Sequence, residues 1–290
     1  MIRAAGNKEA AVDLKILARE IKDGHWEDLM SSHGASEVLK LSVNEIHSRL
    51  LESCGTQGGP VLSNCWFDIY WTASWVQALL ATNVTLAATV LEIGAGLSSN
   101  FIRAASSLLG SRGRFVGINL NKRLTESFQR RNRQLPIRMQ FIEGNARGIH
   151  ECLPERSCAF IAFNHEINDI LQTIVFESSG RKTDDGDWYT MVPEMIRQLR
   201  QAQQSGAWHY SVRPQFLQII QSCAKVLKPD GVMGFNNAVT ALLLRHGYSE
   251  ELLGSLIPLA RRWIGEGMDG LREVTFEGFD PKWWLFFTKM

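Results

Sequence analysis

One short segment carries the residues best suited to chemistry. In Val90-Leu91-Glu92-Ile93-Gly94-Ala95-Gly96-Leu97-Ser98-Ser99 an acid closes an apolar run, and glycines follow it at i+2 and i+4. Gly94 permits a tight turn, and Gly96 lets backbone approach a ligand with no Cβ in the way. A helix opening just after offers unpaired N–H groups. The dinucleotide pattern G-x-G-x-x-G needs a third glycine where this chain has Ser99, so that fingerprint is incomplete. An acid ahead of the first glycine suits a cationic or amino-bearing ligand better than a pyrophosphate.

The elements that must position this turn are legible from periodicity. Thr89–Ile93 reads as a short apolar strand, followed by a helix over Phe101–Leu109, a strand Arg114–Ile118, a charged helix Lys122–Asn132 and a strand Arg138–Ile142. Ala159–Phe163 and Val232–Phe235 supply a fourth and a fifth strand, the latter after a helix Pro214–Val226. Such alternation predicts a mostly parallel sheet with helices on both faces, whose ligands sit beyond the carboxyl ends of the strands. Two stretches exceed what this needs. Residues 1–85 read as a helical arm, with Leu14, Leu17, Ala18 and Ile21, then Leu39, Val43, Ile46 and Leu50, at helical spacing. The fourth-to-fifth connection holds about seventy residues where a crossover needs about a dozen. Its excess, about 171–212, includes a helix Trp188–Gln204. Arm and insert are both candidates for a cap over the site.

Composition narrows the function. Thirty-one Lys and Arg against thirty Asp and Glu give a net charge of +1, unlike a protein built to grip a phosphate backbone. The basic cluster Lys122, Arg123, Arg130, Arg131, Arg133 and Arg138 reads either as a nucleic-acid patch or as a solvated helix face, and overall neutrality favours the second. No apolar run approaches the length of a membrane span, and the N-terminus lacks an apolar secretory core. Five cysteines without a C-x-x-C pair read as ordinary thiols, with no metal site expected and a reduced, cytoplasmic setting.

The ordered segments resemble the class I S-adenosylmethionine-dependent methyltransferases. Glu92-Ile93-Gly94-Ala95-Gly96 is similar to that family's first motif, E/D-x-G-x-G. Val116-Gly117-Ile118-Asn119-Leu120, Phe141-Ile142-Glu143-Gly144-Asn145-Ala146, Phe163-Asn164-His165-Glu166 and Val226-Leu227-Lys228-Pro229-Asp230-Gly231-Val232 resemble its later motifs in order. Val274–Phe279 and Trp283–Thr288 look like its closing strand pair. The resemblance covers about residues 86–290 apart from the insert. It implies a Rossmann-like seven-stranded α/β domain with S-adenosyl-L-methionine as cofactor and a small organic methyl acceptor at oxygen or nitrogen. The alternatives are a cofactor-binding protein without transfer, and an RNA or protein methyltransferase. A homodimer is left open.

Residue by residue, the resemblance places Glu92 and Asn164 near the methionine end, Gly94 and Gly96 under the cofactor, Asn119 at the ribose, and Asn145 with Ala146 at the adenine. Asn119 and Asn145 stand where the family has acids, so each keeps one accepting oxygen and loses charge; Asn121 is the alternative ribose residue. His165 is either a general base, a service worth about 10²–10⁴-fold, or a residue that packs or caps the next helix. Glu166 and Asp169 read as acids favouring that helix's N-terminus. The aromatic stretch Trp66–Trp75 either packs into the core or walls the acceptor, with Tyr70 reaching the cofactor carboxylate. Trp188, Tyr189, Trp208 and Tyr210 either extend that wall or anchor the insert.

Overall fold

The computed structural model describes residues 14–23, 36–55, 64–96, 98–183, 186–239 and 241–290. Its centre is a seven-stranded sheet in the order β3-β2-β1-β4-β5-β7-β6. The strands are β1 (Thr89–Ile93), β2 (Arg114–Asn119), β3 (Arg138–Glu143), β4 (Cys158–Asn164), β5 (Leu227–Asn236), β6 (Leu271–Val274) and β7 (Trp284–Lys289). The first five run parallel; β7 is antiparallel to both β5 and β6. The expected Rossmann-like α/β sheet is therefore present.

The central strands β1 and β4 are continuous apolar runs because both their faces are covered. From β1 the chain steps outward through β2 to β3, then returns to place β4 on the other side of β1. Right-handed crossovers running in opposite directions put their helices on opposite faces. The reversal leaves a crevice between the carboxyl ends of β1 and β4, where Glu92 pairs in register with Ala162 and Ile93 with Phe163. Gly117, opposite Glu92 on β2, has no room for a side chain: a Cβ there would lie 2.9 Å from the Ala95 Cβ and 3.0 Å from the Phe141 ring.

The helix Asn64–Ala81 packs against the helix Asn100–Leu109. Its apolar residues do not fall on one stripe, and Trp71–Val76 are buried without a break. Trp75 sits edge-on to Phe101, Phe160 and Trp284 at 5.1, 6.0 and 5.0 Å. For Trp71 and Trp75 the core reading holds, and both are buried. The side chain of Tyr70, expected at the cofactor carboxylate, lies outside the described residues.

The closing pair differs from expectation at one strand. The ladder takes Leu271–Val274, and Thr275–Phe279 leaves it. Gly278 turns the chain at φ +84°, which lets Phe276 and Phe279 pack at 4.9 Å onto Phe286 and Trp284. The helix Ile167–Ser178 runs unbroken across the start of the stretch 171–212, and Trp188–Gln204 is helical as the pattern predicts, capped by Asp187. A π-turn, Trp208–Val212, then leads into the helix Arg213–Val226. Gly117→Val should lower unfolding free energy by about 1–3 kcal/mol through overpacking, read from the denaturant midpoint.

Candidate functional site

The crevice opens into a cavity of about 320 Å³, within the usual range for small-molecule sites. Glu92, Gly94, Gly96, Asn119, Asn145, Ala146, Asn164 and His165 all line it. These eight residues come from the carboxyl ends of β1 to β4 and the turns that follow them. The opposite side comes from the helix Ile167–Ser178, from Trp188, Tyr189 and Val192 of the next helix, and from Leu243, His246 and Tyr248. Among the described residues, none before Glu92 lines the cavity.

Glu92 is 2% exposed. Its Oε1 accepts from Asn164 Nδ2 at 3.2 Å, and its Oε2 has no hydrogen-bond partner in the protein. Asn164 is held from behind, its Oδ1 accepting from Trp75 Nε1 at 3.0 Å, and its Nδ2 also reaches Ser98 Oγ at 3.2 Å. Burial pushes the Glu92 carboxyl up to about 8, against a smaller lowering by the Asn164 amide. The acid is therefore mostly protonated at neutral pH until something positive arrives.

The glycine turn is tight. Gly94 takes φ +74°, and its N–H and that of Ala95 both donate to Ile118 O, at 2.8 and 3.2 Å. The Glu166 carboxyl lies directly over Gly94, where an added Cβ would fall 1.8 Å from its Cδ. A Cβ on Gly96 would sit 3.1 Å from Asn119 Nδ2. Asn119 itself holds the turn: Nδ2 donates to Ala95 O at 3.2 Å, and Oδ1 accepts from Asn121 N–H at 2.8 Å. Asn145 Oδ1 accepts from Arg147 N–H at 3.0 Å and opens a short 3₁₀ turn. Asn121 caps the helix Lys122–Asn132 through Leu124 N–H and ties down the insert by donating to Thr183 O and Gly186 O, at 3.2 and 3.0 Å. The Arg131 guanidinium donates to Gly96 O, so one member of the basic cluster serves the turn, while the helix otherwise presents exposed arginines to solvent.

His165 has φ +58°, its N–H donates to Asn236 Oδ1 at 2.9 Å, and its ring meets the Trp71 ring edge-on at 4.5 Å. Burial pulls the imidazole down to about 3. A group so weakly basic draws a proton poorly near neutral pH. The sequence reading missed two acids that line the same cavity, Glu166 and Asp169. Both are raised, Glu166 by burial and by the neighbouring Asp169 and Glu92 carboxylates, and Asp169 to about 7 by burial. Their i,i+3 spacing at the head of a helix was the available signal for a shared face. Of the four bracketing aromatics, Trp188 and Tyr189 line the cavity. Trp208 is buried with Nε1 donating to Leu199 O at 3.2 Å, an anchor, and Tyr210 is exposed.

Among the described residues no group of three or more His, Cys, Asp or Glu is placed to hold a metal ion, and no helix is long and apolar enough to cross a membrane. No family model and no curated protein matches the chain. Solved structures do. A candidate S-adenosyl-L-methionine-dependent methyltransferase from Methanococcus maripaludis is 11% identical with a TM-score of 0.46, over 98% of either chain. A SAM-dependent methyltransferase from Aquifex aeolicus is 10% identical with a TM-score of 0.41, over 95% of this chain and 97% of its own. A candidate rRNA methylase from Clostridium thermocellum is 12% identical with a TM-score of 0.45, over 75% of this chain and 96% of its own. At these values the likeness assigns no activity to this chain.

The raised acids carry a signed pH dependence. Between the unfolded value of 4.5 and the folded value of about 8, native Glu92 keeps a proton that the unfolded chain has released. Its contribution to stability is therefore lost as pH rises through that window. Glu92→Gln should flatten the fall in unfolding free energy between pH 5 and 8, leaving the variant more stable than the parent at pH 8 by upwards of about 1.4 kcal/mol, the worth of one pKa unit. Denaturant unfolding of both proteins across that range checks it.

Proposed function

We propose that the cavity binds S-adenosyl-L-methionine and that the chain transfers its methyl group to a small molecule. The observation that carries this reading is the buried Glu92 carboxyl with one idle oxygen, set beside a glycine turn in a cavity that Glu166 and Asp169 make more acidic still. A ligand with ammonium and sulfonium charges fits that lining, because it compensates the carboxylates that burial otherwise keeps protonated. A pyrophosphate would meet the Glu92 and Glu166 carboxyls at the place where it needs donors.

The bound cofactor supplies a methyl group already activated on a sulfonium. Glu92 and Asn164 hold the amino-acid end, with Gly94 and Gly96 forming the floor. Asn119 has an amide hydrogen and a lone pair left for ribose hydroxyls, and Asn145 keeps the same for the adenine edge beside Ala146. Tyr70 is assigned to the carboxylate. The segment 171–212, fastened through Asn121, acts as the cover. The cover excludes water and orients the acceptor, which is most of what transfer from an activated donor requires. For a hydroxyl or amine acceptor, Asp169 at about 7 is better matched to taking a proton than His165, which we assign to positioning at the end of β4. An acceptor enclosed on two sides is a small molecule rather than RNA or protein, and the setting is cytoplasmic.

A second reading, cofactor binding without transfer, is favoured by Asn119 and Asn145, which lack charge and spend bonds on the backbone. Thermal denaturation with S-adenosylhomocysteine addresses both readings. At 100 times the dissociation constant the ligand should add about 2.7 kcal/mol, and Gly96→Val should cancel that shift. No shift at millimolar ligand would refute the assignment of the cavity. Transfer of labelled methyl to an added acceptor separates the two readings.

A further inference from the structure

We propose that the part of the cavity away from the glycine turn takes an acceptor with a primary or secondary amine on an apolar body. This rests on the cofactor reading above. Asp169 stands one helical turn beyond Glu166 on the cavity wall, with Asn168 and Tyr248 beside it on the lining. Asn168 Nδ2 donates to Asp169 Oδ1 at 2.6 Å and to the Tyr248 hydroxyl at 3.2 Å. Those bonds commit the amide so that Oδ1 is its remaining group, and Oδ1 has no partner although Asn168 is 2% exposed. A buried oxygen without a donor costs free energy unless a ligand brings one. An amine brings two or more donors and a charge, which suits one amide oxygen and one carboxylate together; an alcohol brings one donor, and an acid brings repulsion.

The basic groups on the cavity wall do not reverse this balance. Arg147 lies beside the adenine-end turn and pairs with Glu177 at 3.4 Å, and His246 stacks on Tyr189 with centroids 6.1 Å apart. Ile170, Ile174 and Val192 with Trp188 complete the wall, so the amine's body is apolar. Burial raises both Asp169 and the Tyr248 phenol, the latter further through Asp169, and a bound ammonium would relieve the carboxyl.

Calorimetric titration into protein saturated with S-adenosylhomocysteine tests this, using 2-phenylethylamine, 2-phenylethanol and phenylacetate as probes. The amine should bind at least about tenfold tighter than the alcohol, a difference of about 1.4 kcal/mol, and the acid should not bind. Asp169→Asn should weaken the amine by a similar factor, with an unchanged far-ultraviolet circular dichroism spectrum and a cooperative thermal transition reporting that the variant is folded. Equal affinity for amine and alcohol, an amine unaffected by Asp169→Asn, or no binding by any probe at millimolar concentration overturns the amine inference while the cofactor reading stands. Failure of S-adenosylhomocysteine to bind the parent protein overturns both.

Discussion

The structure around the crevice depends on one buried contact, the Asn164 amide against the Glu92 carboxyl. Glu92 sits one residue before the end of the central strand and is almost fully buried, a costly place for an acid. One oxygen is satisfied by Asn164, whose own carbonyl is fixed by the Trp75 indole. The aromatic helix therefore acts on the site from the core, through a tryptophan that never reaches the cavity. Trp75 packs on Phe101, Phe160 and Trp284, so the rigid centre of the domain sets where the acid points. The other oxygen remains for a ligand, and a protonated acid that ionises when a cation arrives is a natural consequence of that arrangement.

The same logic extends along the wall. Glu166 rests on Gly94 because that residue has no side chain, and each ionised acid raises the cost of ionising the next. Such a cluster resists negative ligands and gains from positive ones. Asn119, Asn121 and Asn145, uncharged, hold the glycine turn, the insert and the loop after β3 by bonds to the backbone. Amides at these positions fix geometry without adding charge.

Much of this was legible in the order of residues. The acid-x-Gly-x-Gly run, the five parallel strands and the helix Trp188–Gln204 follow from period and turn chemistry, because each is decided by neighbours in sequence. The boundaries of β2, β3 and β4 moved by one residue where strand ends carry polar residues, as at Asn119, Glu143 and Asn164, while β5 begins at Leu227 and not at Val232. What stayed hidden depends on neighbours in space. Thr275–Phe279 alternates like a strand, yet its two phenylalanines find better packing on Trp284 and Phe286. The helix Glu250–Gly267 carries Pro258 and several glycines, which obscure its pattern; burial of Leu253, Leu256, Ile257, Trp263 and Ile264 overrides them. Glu166 resembled an ordinary helix-opening acid until the crossover placed it against Gly94, with Asp169 following it onto the cavity wall.

Whether a positive cofactor ionises a protonated Glu92 is decided by titration calorimetry with S-adenosylmethionine at pH 7, repeated in buffers of different ionisation enthalpy to count the protons exchanged on binding. One-to-one binding with net proton release is expected, and a release smaller by most of a proton in Glu92→Gln. Absence of binding at millimolar cofactor, or binding with identical proton release in parent and variant, would contradict that expectation.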